Sequence, residues 1–274
     1  MQVEKFYQII ASNKDEIEAI IKNIDTFYIE RKEAKNDKFG KQKADKFGNP
    51  IFRIIRPSKG RLKIIQSIIH KNILRKIEFP KYVKAVKGGG IFANALEHKG
   101  KKYKFQTDLK SFFDKISNKQ VHQMLILRGF GKDVSSLITQ LTTFKGSLPQ
   151  GTSTSQILAN LVFLSTDEKI DAYCIENNLY YTRYVDDLTV SSAFDFKKGT
   201  LDILDIIKND DYKISHSKTS YKSVATITGI KVSQNNIDVT DGYKEKMKSP
   251  KSVQQKQGLE TFYNTVQYYD KVRK

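Results

Sequence analysis

Apolar residues along the chain fall at helical spacing in some stretches and alternate with polar ones in others, with no unit repeated. Ile17, Ile20, Ile21 and Ile24 follow Ser12, Asn13 and the acidic pair Asp15 and Glu16, which predicts a capped first helix. The polar, Lys-rich stretch 31–49 precedes Ile51, Phe52, Ile54 and Ile55, and Pro57 follows, so a basic hairpin or loop ending in a strand is expected. Leu62, Ile65, Ile69 and Ile73 recur every three or four residues among Lys59, Arg61, Lys63, Lys71 and Arg75, predicting an amphipathic helix with a cationic outer face.

After Gly88-Gly89-Gly90, a tightly turned or mobile junction, Tyr103, Phe105 and Thr107 alternate with Lys104, Gln106 and Asp108. That alternation predicts a half-buried strand with Asp108 at its carboxyl end. Helices are expected near 118–128 and 133–143, then a loop over 146–151 feeding a long helix from Thr154 that carries Ile157, Leu158, Leu161 and Leu164. Residues 179–184 and 188–192 read as two strands whose tight turn holds up Asp186 and Asp187. A helix near 197–208, a strand near 223–232, a turn at Asn235-Asn236 and a final basic segment complete the chain. Strands and helices in this mixture predict an α+β fold rather than alternating βαβ units.

Composition adds a partner to this picture. Lysine and arginine number 48 against 30 acidic residues, a net charge of +18, so the surface suits a polyanion such as nucleic acid. Aromatic residues at 11% are too many for a disordered basic tail. Cys174 is the single cysteine, which excludes an intramolecular disulfide framework and any multi-cysteine metal site and fits a reducing, cytoplasmic setting. No apolar run approaches a signal peptide or a membrane span, so no membrane partner is expected.

Asp108, Asp186 and Asp187 each stand at the edge of a predicted strand in an apolar context. Like charges brought together there call for a cation, and two Mg²⁺ ions held by shared carboxylates would support phosphoryl transfer. An isolated Asp-Asp pair is more often a turn or a helix cap. Here the pair sits in Tyr181-Thr182-Arg183-Tyr184-Val185-Asp186-Asp187-Leu188-Thr189, which resembles the Tyr-x-Asp-Asp hairpin of reverse transcriptases.

The resemblance extends over about residues 47–232, in the family's order. Thr107 to Phe113 is similar to the first palm motif, and it implies that Phe113, five residues after Asp108, excludes a ribose 2′-hydroxyl. Leu148 to Ser155 resembles the loop and helix start that press on the incoming nucleotide, with Gln150 offering hydrogen bonds and Gly151 permitting close backbone approach. His216-Ser217-Lys218-Thr219 resembles the next motif, placing Lys218 near the pyrophosphate leaving group. Lys46 and Arg53 match the fingers residues that grip a triphosphate. Asn94-Ala95-Leu96-Glu97-His98 and Ile227-Thr228-Gly229 resemble signatures of retron-type enzymes, and Asn94 and His98 are expected to position RNA or backbone. Ser153 and Gln156 depart from the family's frequent prolines, leaving that backbone less constrained.

The resemblance implies a right-hand polymerase fold: fingers at 1–87, palm at 88–116, fingers and palm helices at 117–146, palm again at 147–232 and a short thumb at 233–274. It implies RNA-directed DNA polymerase activity on a structured non-coding RNA, a single-stranded DNA product, dNTP substrates, an effector protein as a further partner and a role in phage defence. The alternatives are a defence-associated reverse transcriptase outside the retrons, with other priming, and a catalytically silent RNA-binding scaffold. No ribonuclease H module is expected in the remaining length.

Overall fold

The computed structural model describes residues 1–36, 42–45 and 47–272. In chain order the elements are α1 (Val3–Ile9), α2 (Lys14–Lys22), β1 (Arg31–Ala34), β2 (Phe52–Ile55), α3 (Gly60–Asn72), α4 (Ile91–Glu97) and β3 (Tyr103–Asp108). Then come α5 (Phe112–Lys115), α6 (Asn118–Leu127), α7 (Lys132–Thr142), α8 (Ser155–Glu176), β4 (Tyr180–Tyr184), β5 (Asp187–Ser192) and α9 (Thr200–Asn209). β6 (Ser220–Lys222), β7 (Ala225–Ile227), β8 (Ile230–Val232), β9 (Ile237–Val239), α10 (Asp241–Lys248) and α11 (Val253–Val272) close the chain. The described elements form an α+β fold, as the patterning predicts. They group into two compact units: residues 1–78 with 111–164, and residues 79–110 with 165–274.

The first unit is mainly helical. Asn13 caps α2 by accepting from the Glu16 amide, so the predicted helix start is where the sequence puts it. α3 buries Leu62, Ile65 and Ile69 fully, and it packs on α1 and α7, whose Phe6, Val134, Ile138 and Leu141 are also interior. A long polar side chain also crosses this core. Gln66, with no exposed surface, accepts from the Ser58 hydroxyl at 2.6 Å and donates to the Leu141 carbonyl at 2.8 Å and to Tyr28 at 3.0 Å. Each of its polar atoms is therefore paired, as burial demands. β1 and β2 form an exposed antiparallel ribbon registered Arg31↔Ile55.

The second unit holds two antiparallel sheets, β4-β5-β3-β6 and β7-β8-β9. Successive side chains on a strand point to opposite faces. Tyr181 and Arg183 of β4 therefore face α8, where both bond Asp167, while Thr182 faces the other way toward His98 at the end of α4. The second sheet buries Ile227, Ile230, Val232, Ile237 and Val239 together with Val266 of α11, and Phe92, Phe262 and Tyr269 line its margin. The segment expected as a thumb thus contributes β9 and α11 to this packing.

The stretch near 223–232, expected as one strand, is a hairpin. Thr228 and Gly229 have φ of +46° and +86°, so the chain reverses and β7 pairs back on β8. Both central residues are left-handed, the φ pattern of a type I′ turn. The triple glycine is a tight turn: a Cβ on Gly89 would sit 2.1 Å from the Lys84 carbonyl oxygen, and Gly90 donates to the same oxygen at 2.7 Å.

Candidate active site

Within the second unit the central strand pair of the larger sheet brings the acidic residues together. β3 and β5 run antiparallel in a register that places Asp108 directly opposite Asp187, and the Leu109 amide donates to the Asp186 carbonyl at 2.9 Å. Two-residue connection Val185-Asp186 joins β4 to β5, with Tyr184 opposite Asp187. Val185 has φ +58°, left-handed at the first central position only, the φ pattern of a type II′ turn where glycine is usual. A valine there is strained, and the surrounding structure has to hold it.

Arg183 does so. Its guanidinium is fully buried, donates from Nε and Nη2 to the two Asp167 oxygens at 2.8 and 2.6 Å, and donates from Nη1 to the Val185 carbonyl at 2.9 Å. Tyr181 adds a hydroxyl bond to Asp167 at 2.6 Å. A fork-to-fork pair of this kind is directional as well as strong, so it fixes the entry of the chain into the strained turn. Asp167 and Arg183 were not among the residues expected at the site. Their signal is present in the sequence: Leu158, Leu161 and Leu164 continue at the same spacing to Asp167, a charge on an apolar face that requires a buried partner.

The electrostatics of the trio follow from its crowding. Asp186 is pushed above the ordinary carboxylate range by desolvation and by the Asp108 charge. Desolvation, then the charges of Asp186 and Asp108, push Asp187 up to about 7, and a hydrogen bond with the Asp108 side chain works in the same direction. Lys218 answers this negative potential by donating to Asp108 Oδ2. Desolvation alone would lower the Lys218 ammonium, but that bond and the charges of Asp108, Asp187 and Asp186 carry it upward.

Among the described residues no three His, Cys, Asp or Glu side chains converge as a ready-made metal cage. The donor chemistry nevertheless fits a hard divalent cation. Three carboxylates with only oxygen donors surround the turn, two of them hold protons above the normal range, and a lysine neutralises the third.

Asn94 and His98, expected to position RNA or backbone, lie inside the second unit and bond strand side chains. Both are interior, at 1% and 0% exposure. Thr182 gives its hydroxyl proton to Asn94 Oδ1 at 2.6 Å, so it accepts from His98 Nε2–H at 2.7 Å. His98 Nδ1 then accepts from the Ser191 hydroxyl at 2.7 Å. The pair bolts α4 to β4 and β5. Desolvation, aided by the charges of Lys104, Lys84 and Lys101, lowers the imidazole to about 3, so it is neutral.

The remaining expected residues that the structure describes lie in the first unit. Phe113 is half-buried on α5 against Phe112, their ring centres 5.8 Å apart. Gln150 accepts at its carbonyl from the Arg56 amide at 2.6 Å. Gly151 has φ +107°, and a Cβ there would lie 2.6 Å from the Ile55 side chain, so the loop does use glycine for a close approach, to the end of β2. Arg53 is exposed on β2 and pairs with Glu33 at 2.9 Å. Lys46 lies outside the described residues.

The family profile described as Reverse transcriptase (RNA-dependent DNA polymerase) matches residues 41–254. The Retron Ec86 reverse transcriptase of Escherichia coli is 32% identical over 199 residues, covering 70% of this chain and 62% of that protein. The Retron Se72 reverse transcriptase of Salmonella heidelberg is 34% identical over 145 residues, 52% of this chain and 38% of that protein. The chain thus spans less than two thirds of the length of these curated relatives. Among solved structures, telomerase from Candida albicans, in complex with a TWJ fragment of telomeric RNA, superposes with a TM-score of 0.53 at 11% identity, over 84% of this chain and 51% of that one. At that identity the likeness is one of fold. No helix among the described residues is long and apolar enough to cross a membrane.

Proposed function

Because the chain belongs to the reverse transcriptase family, we propose that it is an RNA-directed DNA polymerase whose reaction centre is Asp108, Asp186 and Asp187. The observation that carries this reading is the register of the central strands, which sets Asp108 opposite Asp187 with the Asp186 carbonyl bonded to Leu109. Two magnesium ions held by these carboxylates would activate a primer hydroxyl and stabilise the departing pyrophosphate. The chain's own part is to hold the acids close together and to give up their protons as the cations enter. Lys218 neutralises Asp108 beforehand and, in this reading, would turn toward the triphosphate once cations take its place.

The finer reading is retron-like: a structured non-coding RNA as template and primer, a single-stranded DNA product, deoxynucleotide selection by Phe113, triphosphate contacts from Lys46, Arg53, Gln150 and Gly151, an effector protein partner and a role in phage defence. Similarity to the retron reverse transcriptases of Escherichia coli and Salmonella heidelberg supports it. Residues 1–87 and 117–146 would serve as fingers, 88–116 and 147–232 as palm and 233–274 as a short thumb.

The test is extension of a primed RNA template with dNTPs and Mg²⁺. Asp186→Asn should slow extension by roughly a hundred- to a thousand-fold or more, the several kcal/mol that a lost metal ligand removes. Extension that persists at the wild-type rate in a folded Asp186→Asn, Asp187→Asn protein would sink the assignment.

A further inference from the structure

The carboxylates occupy one end of the larger sheet; the other end carries a different set of side chains. Five residue steps separate the Asp108↔Asp187 pair from the Tyr103↔Ser192 pair, about 17 Å at the rise of a strand. Around this distal end stand Lys101 and Lys102 before β3, Lys197 and Lys198 after β5, and Lys222 at the end of β6. Asp195 is the carboxylate among them. It accepts from the Tyr221 hydroxyl at 2.7 Å and the Lys197 amide at 2.9 Å, and Lys102 and Lys197 both act on its charge.

Aromatic rings are interleaved with these lysines. Phe194 is 50% exposed and Tyr180 44% exposed. Lys101 reaches across from the start of β3 to place its ammonium 3.5 Å from the centre of the Tyr180 ring, and Tyr103 stacks on Tyr221 at 5.9 Å. Tyr180 also borders a cleft of about 670 Å³ whose walls include Tyr82, Lys81, Lys87 and the acids Glu97 and Asp171, Glu97 being paired with Lys84 at 3.0 Å. The cleft loop is rigidly attached, since Val83 bridges Arg183 in parallel and the Arg183 and Lys84 amides donate to the Tyr82 and Arg183 carbonyls at 2.8 Å.

We propose that this distal sheet end and the adjoining cleft form a docking track for a single-stranded stretch of RNA, separate from the carboxylate end. The lysines match phosphates, and they outnumber the acids of this surface, Asp195 at the sheet end and Glu97 and Asp171 in the cleft, which leaves the complementary charge. Exposed rings set between cations serve unpaired bases, which offer a π-face to stack; a duplex hides its bases from them. The inference goes beyond the polymerase reading, because it concerns a surface that the reaction does not use.

The experiment measures fluorescence anisotropy of a labelled oligouridylate of about twelve nucleotides, without dNTPs or metal, over a salt series. Combining Lys101→Ala, Lys102→Ala, Lys197→Ala and Lys222→Ala should lower the slope of log affinity against log salt by about 3, at roughly 0.7 per phosphate contact. Phe194→Ala alone should weaken binding about tenfold. All these side chains lie at the surface or its margin, so thermal melting should stay at the wild-type value; if the fourfold variant melts early, the milder Lys197→Glu, Lys222→Glu pair takes its place. Extension of a short pre-annealed template and primer should proceed at the wild-type rate. Unchanged affinity and slope in a folded variant overturn the proposal, and so does a parallel loss of extension on the short duplex, which would assign these lysines to the template path. Because binding is read without catalysis, a chain that proves unable to polymerise would still answer the question.

Discussion

Arg183 and Asp167 meet through two parallel N–H···O bonds of 2.8 and 2.6 Å, with neither side chain exposed, and the third guanidinium nitrogen holds the carbonyl of left-handed Val185. A buried pair is poor evidence for stability by itself, since hydrophobic replacements of similar volume often fold as well. The place of Arg183, three residues before Asp186, gives the pair a different use. Asp167→Asn leaves an uncompensated guanidinium, so we predict a loss of about 3 kcal/mol in chemical denaturation. Arg183→Met combined with Asp167→Leu should recover most of that stability yet extend a primed template roughly ten- to a hundred-fold more slowly, because the Val185 carbonyl has lost its tether and the carboxylates drift. Wild-type extension by a stable double variant would show the clamp to be structural only.

Val185 supplies a second prediction. A β-branched residue at φ +58° carries strain of about 1–3 kcal/mol, which glycine escapes at the expense of about 0.5–1 kcal/mol of chain entropy. Val185→Gly should therefore raise unfolding stability by about 1 kcal/mol. The same substitution frees the turn and should lower the extension rate. A destabilised Val185→Gly protein would mean that the valine side chain contributes more packing than its backbone loses.

How far the sequence could be read follows from these contacts. Asp108, Asp186 and Asp187 were legible because strand alternation and turn position are local, and antiparallel pairing then forces them together. The paired strands, the long α8 and the Asn13 cap follow from equally local signals. Thr228 hid a hairpin because threonine, unlike asparagine or aspartate, does not advertise a left-handed turn. Asn94 and His98 could be located by their motif, but their burial depends on Thr182 and Ser191, residues of two other strands. Arg183 needed a partner on α8 to become visible, although Asp167 on an apolar face gives the hint.

His98 ties acid stability to this interior network. Its pKa is lowered from the usual 6.5 to about 3 by burial and by nearby lysines, so the folded protein keeps it neutral while the unfolded chain protonates it. The native state binds fewer protons, and the resulting stability is present above about pH 6.5 and lost as pH falls toward 3. His98→Gln, which can still bond Thr182 or Ser191, should give a flatter decline of stability between those pH values. Histidine NMR would check the cause: the His98 resonances should show no titration between pH 5 and 8, and a midpoint in that range would refute the buried neutral assignment.

The carboxylates respond to pH in the opposite sense. Asp187 is raised from the ordinary 3.8 to about 7 by desolvation and by its acidic neighbours, so in the metal-free fold its contribution to stability is present at low pH and disappears as pH rises through 7. A divalent cation needs the ionised form, and its entry must displace that proton. Stabilisation of the protein by Mg²⁺, read as the shift in melting temperature at fixed concentration, should therefore grow between pH 6 and 8. Asp187→Asn removes the titrating group, so its remaining Mg²⁺ shift should be smaller and nearly flat over the same range. Calorimetry in buffers of different ionisation enthalpy should record net proton release near pH 6.5 in the wild-type protein and less in the variant. Equal release from both proteins would place the coupled proton on another residue.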